Sequence, residues 1–190
     1  MPGRHHPAQV YLGLGANLGD RLSALRAALA ALDRHPDIAV DWQQGIASLY
    51  ETSPVGGPPQ QPPYLNTVVR VFTSLSPEAL LRTLLSIEAT LGRVRAEPGG
   101  PRTLDLDLLL YDDVVMDERD LTVPHPRLHE RRFVLEPLCE LAPRLVHPTL
   151  RVSMASLRER QPSAPGTQQA VRLAGREWAA PAIPATPVPP

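Results

Sequence analysis

The sequence predicts an α+β domain with a ferredoxin-like βαββαβ core, a mostly antiparallel sheet with helices packed on it. Three observations predict it. Apolar residues alternate over 9–16, 38–50, 65–72 and 104–111, the period of a strand. They recur three and four residues apart after Arg21 and after Pro77, the period of a helix. Taken in chain order, these segments read strand, helix, strand, strand, helix, strand.

In the first strand Val10, Leu12 and Leu14 share one side, and Gly13 and Gly15 allow close backbone approach at its end. Leu18-Gly19-Asp20 is a turn, with Asp20 placed to cap the first helix. Leu22, Leu25, Leu29 and Leu32 then form a helical stripe with Arg26 and Arg34 outside it, ending near His35-Pro36. Residues 38–50 read as a second strand of irregular course. Pro and Gly interrupt all periodicity over 52–63, which is loop, and 65–72 is the third strand. Ser76 caps the second helix and Pro77 takes its first position. Leu80, Leu81, Leu84, Ile87, Glu88 and Leu91 carry that helix to Gly92. After a second interrupted loop, 104–111 is a strong strand. Beyond it come a short strand over 114–116, a short helix from Arg127 and an apolar helix over 133–141.

A length of 190 residues favours one domain. Its expected limits are 9–160, after a flexible leader, 1–8, that lacks the apolar run of a signal peptide. Residues 161–190 are rich in Pro, Ala, Gln and Ser and are expected to be disordered. The formal charge of −1 offers no basic field for nucleic acid, and no apolar run is long enough to span a bilayer. All 19 basic residues are Arg. Cys139 is the only cysteine, so no internal disulfide forms, which fits a cytoplasmic location.

The most informative segment is Gly100-Pro101-Arg102-Thr103-Leu104-Asp105-Leu106-Asp107-Leu108-Leu109-Leu110. Strand alternation puts Leu104, Leu106, Leu108 and Leu110 on one face and Asp105 and Asp107 on the other. Two carboxylates at that spacing repel, and a hard cation such as Mg²⁺ removes the cost. A half-exposed strand with solvated acids has the same pattern, and spacing by itself does not separate the two. Arg93 and Arg95 stand upstream and Arg102 beside the acids; such a group suits a metal-bound polyphosphate, and equally a surface ion-pair network. His125 lies in the rigid loop Thr122-Val123-Pro124-His125-Pro126-Arg127. Tyr64 and Phe133 are suited to sandwich a flat heterocycle whose edge Asn66 reads, while core packing and a turn account for Phe133 and Asn66 as well.

Taken together these segments resemble the 6-hydroxymethyl-7,8-dihydropterin pyrophosphokinase family of folate biosynthesis. The resemblance runs in order from about Val10 to about Pro148. It is most specific in Gly92-Arg93-Val94-Arg95 and in residues 100–107. Gly13-Leu14-Gly15-Ala16-Asn17, Tyr64-Leu65-Asn66 and Val123-Pro124-His125-Pro126 with Arg131 and Phe133 support it.

The resemblance implies transfer of pyrophosphate from ATP to 6-hydroxymethyl-7,8-dihydropterin, giving AMP and the pterin diphosphate. It implies that Asp105 and Asp107 bind two Mg²⁺ ions bridging the ATP phosphates, and that Arg93, Arg102 and His125 contact the triphosphate. Arg95 and Arg131 are implied on loops that close over the substrates, Leu108 and Thr122 in the adenine pocket. For the pterin, Tyr64 and Phe133 are implied to stack, Asn66 to hydrogen-bond, and Thr52, Pro54 and Val55 to shape the pocket. Arg93, Arg102, Asp105 and Asp107 form the implied catalytic group, and Glu88 matches a position close to it. A monomer that engages neither nucleic acid nor membrane is expected. The chain departs from the family in having no Trp in 96–100, Pro126 after the His, Leu85 where some members have Gln, and Ala16 in place of a frequent Ser. Two other classes fit part of this pattern: a related Mg²⁺-dependent nucleotidyl or phosphoryl transferase with another acceptor, and a non-catalytic ferredoxin-like RNA-binding module.

Overall fold

The computed structural model describes residues 6–93, 100–162 and 170–180. In chain order the elements are β1 (Ala8–Ala16), α1 (Arg21–Asp33), β2 (Ile38–Val40), β3 (Leu49–Thr52), β4 (Tyr64–Thr73), α2 (Pro77–Thr90), β5 (Asp105–Tyr111), β6 (Met116–Asp117), β7 (Thr122–Val123), α3 (Arg132–Leu141), α4 (Met154–Glu159) and β8 (Ala170–Ala174). Short 3₁₀ turns span Leu128–Glu130 and Arg176–Ala179. The main sheet runs β5-β1-β4-β3-β8, with β2 also on β4, and its ladders are antiparallel. This is the α+β arrangement the sequence predicts.

The caps act where the sequence places them. Asp20 accepts from the Ser23 backbone N–H at 3.0 Å, and Ser76 accepts from Ala79 N–H at 3.3 Å. α1 and α2 cover one sheet face, burying Leu25, Leu29, Leu80 and Leu84 against Leu12, Leu14, Leu104, Leu106 and Leu108. α3 and α4 cover part of the other, over Tyr11, Val68, Leu109 and Leu110. Truncating a fully buried leucine such as Leu12 or Leu80 to alanine costs about 2–5 kcal/mol through lost packing.

Three expectations change. The second strand is broken in two, because Asp41 to Gly45 forms a tight turn in which Gly45 N–H donates to Asp41 O at 2.8 Å. A Cβ on Gly45 would stand 2.6 Å from Asp41 Cβ and 2.8 and 2.9 Å from two carbonyl oxygens, so only glycine fits. Leu110 is not on the face of Leu104, Leu106 and Leu108. The register skips a residue, Leu12 facing Leu108 while Tyr11 faces Leu110, and this bulge sends Leu110 to the α3 side.

The third change concerns the tail. Composition predicts disorder over 161–190, yet Ala170–Ala174 forms β8 along β3, and Trp178 is 3 % exposed. Trp178 sits within a Pro/Ala-rich composition whose average hides it; Ala47 and Arg26 bond it, and the open edge of β3 pairs with 170–174. Residues 163–169 and 181–190 lie outside the described residues. No helix among the described residues is long and apolar enough to cross a membrane.

Candidate active site

The site grows from the face of the sheet that α3 only partly covers. Asp105 and Asp107 alternate with buried Leu106 and Leu108 and so both point to that face. Opposite them on β1 stand Gly15 and Gly13, and beyond Gly15 on β4 stands Asn66, then Tyr50 on β3. Gly15 has no room for a side chain: a Cβ would lie 2.7 Å from Asn66 Oδ1. The glycine keeps the acids of β5 and the amide of β4 in one uninterrupted row.

The acids are ringed by guanidinium groups. Arg93 Nη1 is 2.8 Å from Asp105 Oδ1, Arg102 Nη1 is 2.7 Å from Asp105 Oδ2, and Arg131 Nη1 is 3.2 Å from Asp107 Oδ2. Arg93 also pairs with Glu88, an α2 carboxylate 2 % exposed that accepts the Leu106 N–H at 2.7 Å. Glu88 therefore ties α2 to the backbone between the two acids. Burial raises its pKa against the opposing pull of the Leu106 N–H and Arg93. Loss of hydration, and then the Asp105 carboxylate, raise the pKa of Asp107 above the ordinary carboxylate range.

His125 reaches the cluster from the loop after β7, its backbone N–H donating to Leu109 O at 2.9 Å. Its Nδ1 accepts the Arg127 N–H at 3.1 Å, which puts the proton of the neutral ring on Nε2. Burial, then Arg131 and Arg127, lower its pKa to about 4. Nε2 lies 3.3 Å from Arg131 Nη1.

At the other end of the row, Asn66 Nδ2 donates to Thr52 Oγ1 at 2.6 Å and both residues are buried. Tyr64 pairs with Thr52 across the strands and donates its hydroxyl to Gly100 O at 3.4 Å. The Arg131 guanidinium lies 5.5 Å from the centre of the Phe133 ring, a cation–π contact that joins α3 to the acid cluster. Among the described residues no group of three His, Cys, Asp or Glu side chains is disposed to hold a metal.

The decisive observation is a match over most of the chain: the family model for 7,8-dihydro-6-hydroxymethylpterin-pyrophosphokinase (HPPK) covers residues 11–143. The chain belongs to the HPPK family. It is 46 % identical over 131 residues to the 2-amino-4-hydroxy-6-hydroxymethyldihydropteridine pyrophosphokinase of Bacillus subtilis, covering 69 % of this chain and 76 % of that protein. The protein of the same name from Methylorubrum extorquens is 42 % identical over 151 residues, 78 % of this chain and 93 % of its own length. The folic acid synthesis protein fol1 of Schizosaccharomyces pombe is 40 % identical over 163 residues, and this chain, matched over 86 %, spans only 21 % of it. A solved HPPK-DHPS of Plasmodium falciparum shares the fold, with a TM-score of 0.63 at 14 % identity over 83 % of this chain and 44 % of that one.

Within this HPPK fold, Arg93, Arg102, Asp105, Asp107, His125 and Arg131 come together, as do Thr52, Tyr64 and Asn66, with Phe133 joined through Arg131. Leu108 and Thr122, which the resemblance implies in an adenine pocket, occupy two different elements, β5 and β7. The Leu108 side chain is 4 % exposed in the core beneath α1 and α2, on the face away from the acids. Thr122 spends its hydroxyl on Asp117 at 2.8 Å, within the β6–β7 hairpin. Pro54 is half-buried and Val55 is 56 % exposed on the loop after β3. Arg95 lies outside the described residues.

Sequence reasoning gives one positioning residue no role. Asn17, 2 % exposed, accepts the Arg102 N–H at 2.7 Å and donates to Pro62 O at 3.2 Å. It thereby holds the loop carrying Arg102 to the loop preceding Tyr64. The signal is present, since Asn17 closes the Gly13–Asn17 run, but its partners are 85 and 45 residues away.

Proposed function

We propose that this chain transfers the pyrophosphoryl group of ATP to the hydroxymethyl oxygen of 6-hydroxymethyl-7,8-dihydropterin, releasing AMP and the pterin diphosphate in folate synthesis. The observation that carries this reading is the single row on one sheet face. Two carboxylates under three guanidinium groups stand at one end, and a buried Thr–Asn–Tyr group suited to a polar heterocycle stands at the other.

The residues fit a divalent metal. Two carboxylates on one face, with no third protein ligand completing a cluster among the described residues, suit a hard ion that takes its remaining oxygens from water and phosphate. Asp105 and Asp107 would hold it, read here as two Mg²⁺ ions, and when bound it supplies charge stabilisation on the phosphates.

The chain's own groups do the rest. Arg93, Arg102 and Arg131 turn from the carboxylates to the phosphate oxygens, and the His125 Nε2–H donates beside Arg131 to the same anion. With His125 neutral, this donor persists throughout the physiological range. Tyr64 and Phe133 stack on the pterin once Arg131 leaves the Phe133 ring. The Asn66 amide, held by Thr52, presents its oxygen to the heterocycle's N–H groups. In the reaction the hydroxymethyl oxygen bonds to the β-phosphorus, the bond from that phosphorus to the bridging oxygen of AMP breaks, and the hydroxyl proton passes to solvent. Alignment of oxygen, phosphorus and leaving group supplies much of the rate.

The test follows AMP from ATP with and without the reduced pterin alcohol. Pterin-dependent AMP in equal amount to pterin diphosphate supports the reading. ADP as product, or AMP release indifferent to the pterin, rejects it.

A further inference from the structure

The C-terminal segment, residues 170–180, lies outside the stretch the family model matches and far from the acids in the sheet order. Its polar contacts nevertheless converge on one short arm, residues 43–52. Arg176 Nη1 donates to Gln43 O at 2.8 Å, the Trp178 indole N–H to Ala47 O at 2.8 Å, and Arg172 Nε to Ser48 Oγ at 2.8 Å. β8 then pairs with β3, Ala170 opposite Thr52 and Arg172 opposite Tyr50. The far end is pinned to α1, where Arg26 Nε donates to Trp178 O at 2.7 Å.

That arm ends in one of the shorter strands of the sheet. β3 has four residues and meets β4 in only three pairs, at Tyr64, Leu65 and Asn66. Gly45, Ile46 and Ala47 are also bonded to β4, and the Ser48 N–H and Tyr50 hydroxyl to Glu140, so the register of the arm is fixed mostly ahead of its last residues. Yet Thr52 closes it and accepts the Asn66 amide at 2.6 Å. β8 gives β3 its second neighbour, and burial of the Trp178 indole anchors the pair against α1 and Ala47.

We infer that β8 and Trp178 act as a clasp that positions the pterin pocket, holding β3 in place and through Thr52 fixing the Asn66 amide. The inference rests on the reading of Thr52 and Asn66 as pterin ligands. Trp178 is a positioning residue and touches no substrate. Because the acids stand on β5 at the opposite edge of the sheet, with β1, β4 and β3 between them and β8, the effect falls on the pterin and spares the nucleotide.

The experiment uses the full chain and measures two dissociation constants, for a nonhydrolysable ATP analogue with Mg²⁺ and for 6-hydroxymethylpterin in its presence, with thermal unfolding alongside. Trp178→Ala is expected to weaken pterin about ten-fold, the equivalent of ~1.4 kcal/mol, with the analogue changed by less than about two-fold. Trp178→Phe keeps the buried ring, loses the N–H to Ala47 O, and falls between. If Trp178→Ala does not fold, Trp178→Phe and the exposed Arg172→Ala decide by the same ratio. Equal weakening of both ligands, or no weakening of pterin in folded variants, overturns the clasp. Failure of the wild-type chain to bind pterin saturably instead overturns the reading beneath it.

Discussion

The two ends of the site are built by different forces. At the β5 end, Asp105 and Asp107 are held by charge: three arginines from three separate segments converge on them, and Glu88 supports both the strand and Arg93. At the β3–β4 end, Thr52, Tyr64 and Asn66 are neutral and held by hydrogen bonds of 2.6 and 3.4 Å, a glycine's missing side chain and the neighbouring strands. Charge acts over several ångströms and tolerates imperfect placement, whereas neutral recognition depends on each atom's position. The nucleotide end is therefore expected to be sensitive to which groups are present, and the pterin end to how the frame holds them.

The largest effect separates the two ends most sharply. Asp105→Ala or Asp107→Ala is expected to abolish nearly all turnover with the fold intact, measured by AMP release and circular dichroism; wild-type-like rates from both variants would remove the acids from the chemistry. Arg102→Ala is expected to lower kcat by about 10²–10³, the usual cost of losing one preorganised donor to developing charge. An unchanged kcat would leave Arg102 as an ion-pair partner of Asp105 alone.

The frame is probed by Gly15→Ala. The added methyl meets Asn66 Oδ1 at 2.7 Å, and Asn66 is buried and tied to Thr52, so the amide must turn. KM for pterin is expected to rise about ten-fold, ~1.4 kcal/mol, with KM for ATP nearly unchanged. A matching rise in both would erase the distinction between the ends.

The smallest effect concerns pH. His125 falls from an ordinary value near 6.5 to about 4 in the folded chain, so the unfolded chain binds its proton first as pH drops. Its contribution to stability is fully present above pH 6.5 and is lost between about 6.5 and 4. His125→Asn is expected to flatten the fall of Tm over that window; an unchanged slope would mean that His125 is readily protonated in the fold.

The same division explains what is legible in the sequence. Asp105, Asp107, Arg93 and Arg102 lie within 15 residues of one another in a pattern of alternation and charge, so local chemistry exposes them. For Leu108 a family position does not say whether side chain or main chain faces the ligand; alternation with the acids puts its side chain on the other face. The fate of Leu110 turns on a bulge that only strand pairing reveals. Asn17 and Trp178 are single residues whose partners are remote in the chain, Trp178 reaching Ala47 across 131 residues. Neither periodicity nor composition encodes such a contact. The ordered 170–180 segment is hidden for the same reason, since its structure is supplied by the edge of β3.

The most direct test of the row of acids and amide is a crystal structure with Mg²⁺, a nonhydrolysable ATP analogue and the pterin alcohol. The site requires ions bonded to both Asp105 and Asp107, the three arginines turned onto phosphate, and the heterocycle against Asn66 with its hydroxymethyl oxygen directed at the β-phosphorus. Carboxylates still clasped by Arg93, Arg102 and Arg131, with ions bound elsewhere on the nucleotide, would contradict it.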